Sequence, residues 1–204
     1  MKDTKEHWEK IYKTKELEEV SWYQKKPRPS LDYINSLNLS KQAAIIDIGG
    51  GDSLLADHLL AEGYKNITVL DISEEAINRA KNRLGEKAEK ISWIVADAGN
   101  LQLKKTYDLW HDRAAFHFLT DEERIENYLK AMRSSIKKGG HVILGTFSEK
   151  GPEKCSGIRI KQYSLHELAD LFVEDFEIVN SENIDHITPS EAIQNFSFGI
   201  FKKL

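Results

Sequence analysis

The sequence predicts a three-layer α/β sandwich built on a mostly parallel sheet, and three observations carry that expectation. From Ala43 onward, short apolar runs alternate with amphipathic stretches, as parallel strands joined by crossover helices require. The runs are brief, rich in Ile, Val, Leu or aromatics, and bounded by polar residues or glycine. Three of them close on acids, Asp47, Asp71 and Asp97, at intervals of 24 and 26 residues. Each interval fits one strand, one helix and the next strand.

The first forty residues are the least regular, with a helical segment near 5–12 and a Trp22-Tyr23 pair followed by Pro27 and Pro29. A strand is expected at 43–48, followed by a helix at 53–61 whose Leu54, Leu55, His58, Leu59 and Leu60 form one stripe. The second strand falls at 66–71. Ser73 then caps a helix at 73–84, with Glu74 and Glu75 in its first turn and Ala76, Ile77, Ala80 and Leu84 along its apolar face. Strands at 91–96 and 107–111 precede a helix at 121–136, which Lys137-Lys138-Gly139-Gly140 closes before a strand at 140–147. Beyond Phe147 come a glycine-containing loop at 148–157, a helix near 164–172, and strand-like runs at 176–184 and 196–201 that pair as an antiparallel edge.

A chain of 204 residues suits one domain and can bury a full core without disulfides or structural metal. Its charged fraction is 30% but its net charge only −4, so no basic field favours nucleic acid as a partner. Cys155, the single cysteine, excludes an intrachain disulfide and suits a reducing cytosol, and no cysteine cluster has zinc spacing. The N-terminus lacks the apolar stretch of a secretory signal, and no run approaches the roughly 20 apolar residues of a membrane span. A cytoplasmic protein with no membrane partner is expected.

Residues 45–53, Ile-Ile-Asp-Ile-Gly-Gly-Gly-Asp-Ser, form a strand, a carboxylate and a glycine turn before a helix. Glycine permits positive φ and close backbone approach, so Gly49, Gly50 and Gly51 can turn sharply beneath a nucleotide-like ligand. Asp47 would repel a pyrophosphate but could hold an amino group or position a sulfonium. Leu54 also stands where the dinucleotide fingerprint needs its third glycine, which disfavours NAD. A tight turn without a ligand is the plain alternative, weakened by the later acids.

Ligands of a doubly wound sheet sit beyond the carboxyl ends of its strands, so acids ending successive strands converge on one cleft. There Asp71 can accept hydrogen bonds from both vicinal hydroxyls of a ribose. Asp97 can accept from an adenine amine beside the Ala98 amide, and Ile72 can cover one face of the base. Individually, such acids could also be helix caps or solvated loop residues.

Asp47 with Gly49, Gly50 and Gly51, then Asp71, then Ala96-Asp97-Ala98, then Lys138-Gly139-Gly140, resemble the class I S-adenosylmethionine-dependent methyltransferases over residues 40–147. The resemblance implies a Rossmann-like, seven-stranded sheet ending in an antiparallel strand, with S-adenosylmethionine as cofactor. It places Asp47 and the glycines near the methionine moiety, Asp71 on the ribose, and Asp97 with Ala98 at the adenine. It also divides the single domain into an aromatic lid over 1–40, a donor-binding core over 41–147, and an acceptor-side loop and C-terminal strands over 148–204.

The fourth strand should carry the chemistry, since methyl transfer needs a nucleophile held in line and ready to lose a proton. His111, Asp112 and His117 are candidate bases, and Arg113 could bind an anionic substrate or pair with Asp112. The plainer alternatives are a satisfied core histidine at 111 and a solvent-facing histidine at 117. The segment Trp110-His111-Asp112-Arg113-Ala114 is similar to the Trp-Asp-Arg-Gly segment of thiopurine methyltransferases, with a histidine inserted. The loop at 151–157, followed by Tyr163-Ser164, is similar to that of tellurite-resistance methyltransferases. These likenesses imply a small-molecule acceptor, a thiol or chalcogen.

Cys155 could offer a thiolate to a soft acceptor or be a buried, inert cysteine, and His186 could reach the same cleft or lie on the surface. Among the N-terminal aromatics, Trp8 and Tyr12 are expected over the donor, Trp22 and Tyr23 over the acceptor. Two other functions fit the same residues: protein lysine methylation, with residues 20–23 lining a lysine channel, and a non-catalytic donor-binding module.

Overall fold

The computed structural model describes residues 2–204. Its helices are α1 (Lys2–Thr14), α2 (Arg28–Ser36), α3 (Leu55–Ala61), α4 (Glu74–Leu84), α5 (Glu122–Ser135) and α6 (Leu165–Asp170). Its strands are β1 (Ala44–Ile48), β2 (Asn66–Asp71), β3 (Ile91–Val95), β4 (Tyr107–Arg113), β5 (Ile136–Phe147), β6 (Lys154–Cys155), β7 (Ile158–Arg159), β8 (Phe176–Ile187) and β9 (Ile193–Lys203). Seven strands form one sheet in the order β3-β2-β1-β4-β5-β9-β8, and β6 and β7 make a separate hairpin. Only β9 runs against its neighbours, pairing antiparallel with both β5 and β8. The architecture is therefore the Rossmann-like, mostly parallel sandwich that the sequence predicts.

Strand alternation builds the two cores. Ile46, Ile48, Trp110, Val142 and Leu144 point to one face, where Tyr128, Leu129 and Met132 of α5 cover them. Ile45, Ile67, Leu109 and Ile143 point to the other, beneath Leu31 and Ile34 of α2 and Leu55 and Leu59 of α3. Both faces are covered, so β1 at the centre is buried along its whole length, as parallel strands require.

The chain lays β2 and β3 on one side of β1 and then crosses to β4 on the other, so connection order reverses between β1 and β4. That switch point is where an open α/β sheet leaves a crevice. Asp47 pairs in register with His111 across it, and Ile48 with Asp112.

Three elements differ from the sequence expectation. Helix α2 occupies the proline-containing stretch read as irregular; Pro29 stands in its first turn, where the missing amide proton costs nothing. The loop after β5 contains the β6/β7 hairpin, turned by Ser156 and Gly157 at φ 50° and 82°. Strand β5 begins at Ile136, not 140, through a register shift against β4 between Tyr107 and Leu109. No helix among the described residues is long and apolar enough to cross a membrane.

Candidate active site

The crevice opens into a cavity whose floor is the turn after β1. Gly49 and Gly51 take φ of 65° and 47°, and the Gly50 amide donates to the Leu70 carbonyl at 3.2 Å. A Cβ at Gly49 would stand 2.5 Å from Cβ of Ala115, and one at Gly50 2.5 Å from Oδ2 of Asp47. Gly49 and Gly50 line the cavity. Gly51 does not; it is packed against Tyr12 and Asp71, whose Oη and Oδ2 lie 2.8 and 3.0 Å from where its Cβ would be.

Carboxylates gather at this end. Asp47, Asp71 and Asp97 all line the cavity. Oδ1 of Asp71 accepts from the Ser73 amide at 2.8 Å, while its Oδ2 has no hydrogen-bond partner among the described residues. Burial pushes the Asp71 carboxyl up to about 7, with Asp52, Asp47 and Glu9 adding repulsion against the Ser73 amide. Asp52, also buried, meets Nε of Arg79 at 3.2 Å through Oδ2 and leaves Oδ1 without a partner. Asp97 caps the turn that follows it, accepting from the Gly99 amide at 2.9 Å, and Nη2 of Arg124 contacts both its oxygens at 2.6 and 2.9 Å. Ile72 and Ala98 complete this wall. Arg124 carries no signal in the sequence beyond a helical position facing Asp97.

Helix α1 covers the carboxylate end. Trp8 and Tyr12 line the cavity and pack edge to face with Trp22 at 5.6 and 6.1 Å between ring centres, and Phe118 closes on Trp8 at 5.2 Å. Two reciprocal contacts latch α1 to α4. The Glu9 carboxylate accepts from the amides of Glu74 and Glu75 at 2.8 and 3.1 Å and from Oγ of Ser73 at 3.1 Å, capping α4 from another helix. In return Nη1 of Arg79 donates to the carbonyls of Tyr12 and Lys15 at 2.8 and 2.6 Å, capping the C-terminal end of α1. Removing one such cap is worth about 0.5–2 kcal/mol. Glu9→Ala is therefore expected to loosen α1 and to speed hydrogen exchange of its amides about 3- to 10-fold. Unchanged exchange in α1 would show that Glu9 does not hold it.

The fourth strand divides by parity. His111 and Arg113 point toward the cavity and line it, whereas Asp112 points to the opposite face. His111 is satisfied at both nitrogens: Nδ1 lies 2.7 Å from Oδ1 of Asp47, and Nε2 lies 2.7 Å from Oγ of Ser30. A carboxylate only accepts, so Nδ1 carries a proton and the ring is committed to holding Asp47. Ser30 comes from α2, the helix that sequence reasoning missed.

Three candidates lie off the cavity, which corrects their expected roles. Asp112 is fully buried and accepts from the Tyr128 hydroxyl at 2.7 Å and the amides of Ala115 and Phe116 at 2.9 and 3.2 Å. It organises the turn after β4 and makes no ion pair with Arg113 among the described residues. His117 is buried, not solvent-facing; its Nδ1 accepts from the Phe147 amide at 3.3 Å. Burial and nearby Arg113 push its imidazole down to about 3, so it is neutral. His186 is also buried rather than on the surface, with its Nε2 donating to the Ser21 carbonyl at 2.7 Å, and the same causes push it down to about 4.

Arg113 is partly buried in the cavity wall. Its Nη1 donates to the Trp22 carbonyl at 3.2 Å, its Nη2 is shielded from solvent without a partner, and its guanidinium rests over Phe196 at 4.9 Å. Burial lowers it to about 10, still cationic at neutral pH. The β6/β7 hairpin supplies Cys155 and Ile158 to the same end, joined by Trp22 and Tyr23. The Ser-Gly dipeptide at 156–157 was the sequence signal for that hairpin. Burial pushes the Cys155 thiol up to about 11, so it is protonated at neutral pH. Ellman's reagent at pH 7.5 is expected to modify Cys155 at least about tenfold more slowly in the native protein than after denaturation. Equal rates would refute a sheltered thiol.

The profile of a family described as "Methyltransferase domain" matches residues 45–140, the span from β1 into β5 that carries the glycine turn and all three strand-end acids. That matched span is a methyltransferase domain of the class I, S-adenosylmethionine-dependent kind. Malonyl-[acyl-carrier protein] O-methyltransferase 1 of Ilyobacter polytropus is 31% identical over 54% of this methyltransferase, which spans only 40% of that enzyme's length. EEF1A lysine methyltransferase 2 of Danio rerio is 26% identical over 96% of the chain and 81% of its own. The N-methyltransferase NodS of Bradyrhizobium japonicum, solved in complex with S-adenosyl-L-homocysteine, shares the fold with a TM-score of 0.70 at 17% identity, covering 98% of each chain. The family's cofactor is S-adenosylmethionine. The cavity suits such a group: Asp71, with a carboxylate oxygen that has no partner among the described residues, lines it with Asp47 and Asp97, where a cation and ribose hydroxyls need acceptors, beneath an aromatic lid.

Proposed function

We propose that this methyltransferase transfers the methyl group of S-adenosylmethionine to a small acceptor, a thiol or chalcogen compound. One observation carries the reading: a single cavity is lined both by Asp47, Asp71 and Asp97 at the strand ends and by Arg113, Cys155, Trp22 and Tyr23. In this reading Asp71 holds the ribose, Asp97 and the Ala98 amide meet the adenine, Asp47 and the glycine turn hold the methionine moiety, and Trp8 and Tyr12 close over the donor. Bound S-adenosylmethionine supplies an electrophilic methyl group on a cationic sulfur. The chain's own contribution is positioning and exclusion of water, because none of the histidines at 111, 117 and 186 is a free base facing the cavity.

Calorimetry with S-adenosylhomocysteine, followed by turnover of labelled donor with a panel of thiols, tests the proposal. A well-folded protein that binds no S-adenosylhomocysteine would sink it. Protein lysine methylation is the second reading, supported by the 96% of the chain that aligns with the Danio rerio lysine methyltransferase. Label fixed in a protein band of a lysate would favour it; label confined to extractable products would oppose it.

A further inference from the structure

We propose that the acceptor enters this cavity as an anion, a small thiolate, drawn and oriented by the unpaired guanidinium of Arg113. This inference rests on the methyl-transfer reading and names its acceptor class. The cavity is lined by the carboxylates of Asp47 and Asp71 and by the guanidinium of Arg113, which makes no ion pair and leaves Nη2 without a partner among the described residues. A cation in an apolar wall is costly without an anionic partner. None of the nearby groups pairs with Arg113 directly: Asp47 attracts it without an ion-pair contact and holds His111, Cys155 is a thiol, and the neutral imidazoles of His117 and His186 add no negative charge. Among the described residues, the Trp22 carbonyl oxygen and the face of Phe196 are what meet the guanidinium.

The same charge disfavours an ammonium acceptor. A lysine side chain would need to shed its proton beside a fixed cation, and none of the histidines at 111, 117 and 186 is free in the cavity to take it. A thiolate needs none. Its lone pair forms the new sulfur–carbon bond as the donor's carbon–sulfur bond breaks, the bonding pair stays on the donor sulfur, and no proton moves. The aromatic walls formed by Trp22, Tyr23 and Phe118 suit a soft, polarisable atom.

The test is equilibrium binding of 4-nitrobenzenethiolate, ionised at neutral pH, to the full chain with and without S-adenosylhomocysteine. Methyl 4-nitrophenyl sulfide serves as the neutral control and n-butylammonium as the lysine mimic. The thiolate should bind at least about tenfold more tightly than either control. Arg113→Met should abolish that preference while leaving S-adenosylhomocysteine affinity within about threefold, and Arg113→Lys, which keeps the charge and guards against a folding defect, should largely retain it. Undiminished thiolate binding by Arg113→Met, or n-butylammonium binding as tight as the thiolate, overturns the inference. Failure of the donor reading shows separately, as absent S-adenosylhomocysteine binding, and the titration without that ligand still reports whether Arg113 selects the anion.

Discussion

Replacing Asp71 with asparagine is expected to weaken S-adenosylhomocysteine binding about 100-fold. In the proposed donor geometry the carboxylate accepts from two ribose hydroxyls, and each hydrogen bond to a charged group is worth about 1.5–3 kcal/mol. Losing the charge at both gives roughly 3 kcal/mol, or about two decades of affinity. The free protein should behave oppositely. The folded-state carboxyl sits at about 7 against an ordinary value of 3.8, so the fold favours its protonated form, and stability declines as pH rises from about 4 through 7. Asp71→Asn, which keeps an acceptor for the Ser73 amide, should therefore melt no lower than the parent at pH 8 in the absence of ligand. For the parent, binding should strengthen roughly tenfold between pH 6 and pH 8 as the carboxylate ionises. Calorimetry at the two pH values checks both signs, and an affinity indifferent to pH and to Asp71→Asn would remove Asp71 from the donor site.

Asp112→Ala should have the largest effect on stability, about 3–5 kcal/mol. It strands three buried donors at once: the Tyr128 hydroxyl and the amides of Ala115 and Phe116. The Tyr128 hydroxyl also accepts from Trp110 Nε1 at 2.8 Å, so the loss spreads into the core beneath β4. At 2–4 °C per kcal/mol for a chain of this size, the melting temperature should fall by about 10 °C. Asp112→Asn, which keeps one carbonyl acceptor, should fall less and still bind S-adenosylhomocysteine. A normal melting temperature for Asp112→Ala with activity lost would return this residue to the chemistry.

The sandwich was legible because burial on both faces writes itself into composition: Ile45, Ile46 and Ile48, or Val69 and Leu70, need no partner to be read as strand. The strand-end acids were legible for the related reason that a polar residue closing such a run lies where the sheet gives out. What escaped were features fixed by direction rather than residue type. His111, Asp112 and Arg113 look like one cluster on paper, but alternation sends the middle one through the sheet to Tyr128. Applying that period of two would have separated them. Helix α2 was hidden by Pro27 and Pro29, whose disruptive effect vanishes in a first turn. Strand β8 runs further than expected because an exposed edge imposes no apolar pattern on residues such as Asn180, Ser181 and Glu182. The latch that Glu9 makes with residues 73–75, and Arg79 with Tyr12 and Lys15, joins residues 64 to 67 positions apart that no periodicity links.

The strand order has a consequence for how the chain is made. Strand β8 leaves the ribosome before β9, yet it reaches the sheet only through β9, which lies between it and β5. Until residues 193–203 emerge, β5 is an open edge and β8 has no template, so the growing chain carries two unsatisfied strand edges. Closure is then a single late insertion that hydrogen-bonds on both sides at once. That places the chain's exposure to misassembly in the interval between the emergence of β8 and of β9, well after the glycine turn and the strand-end acids Asp47, Asp71 and Asp97 are available to fold.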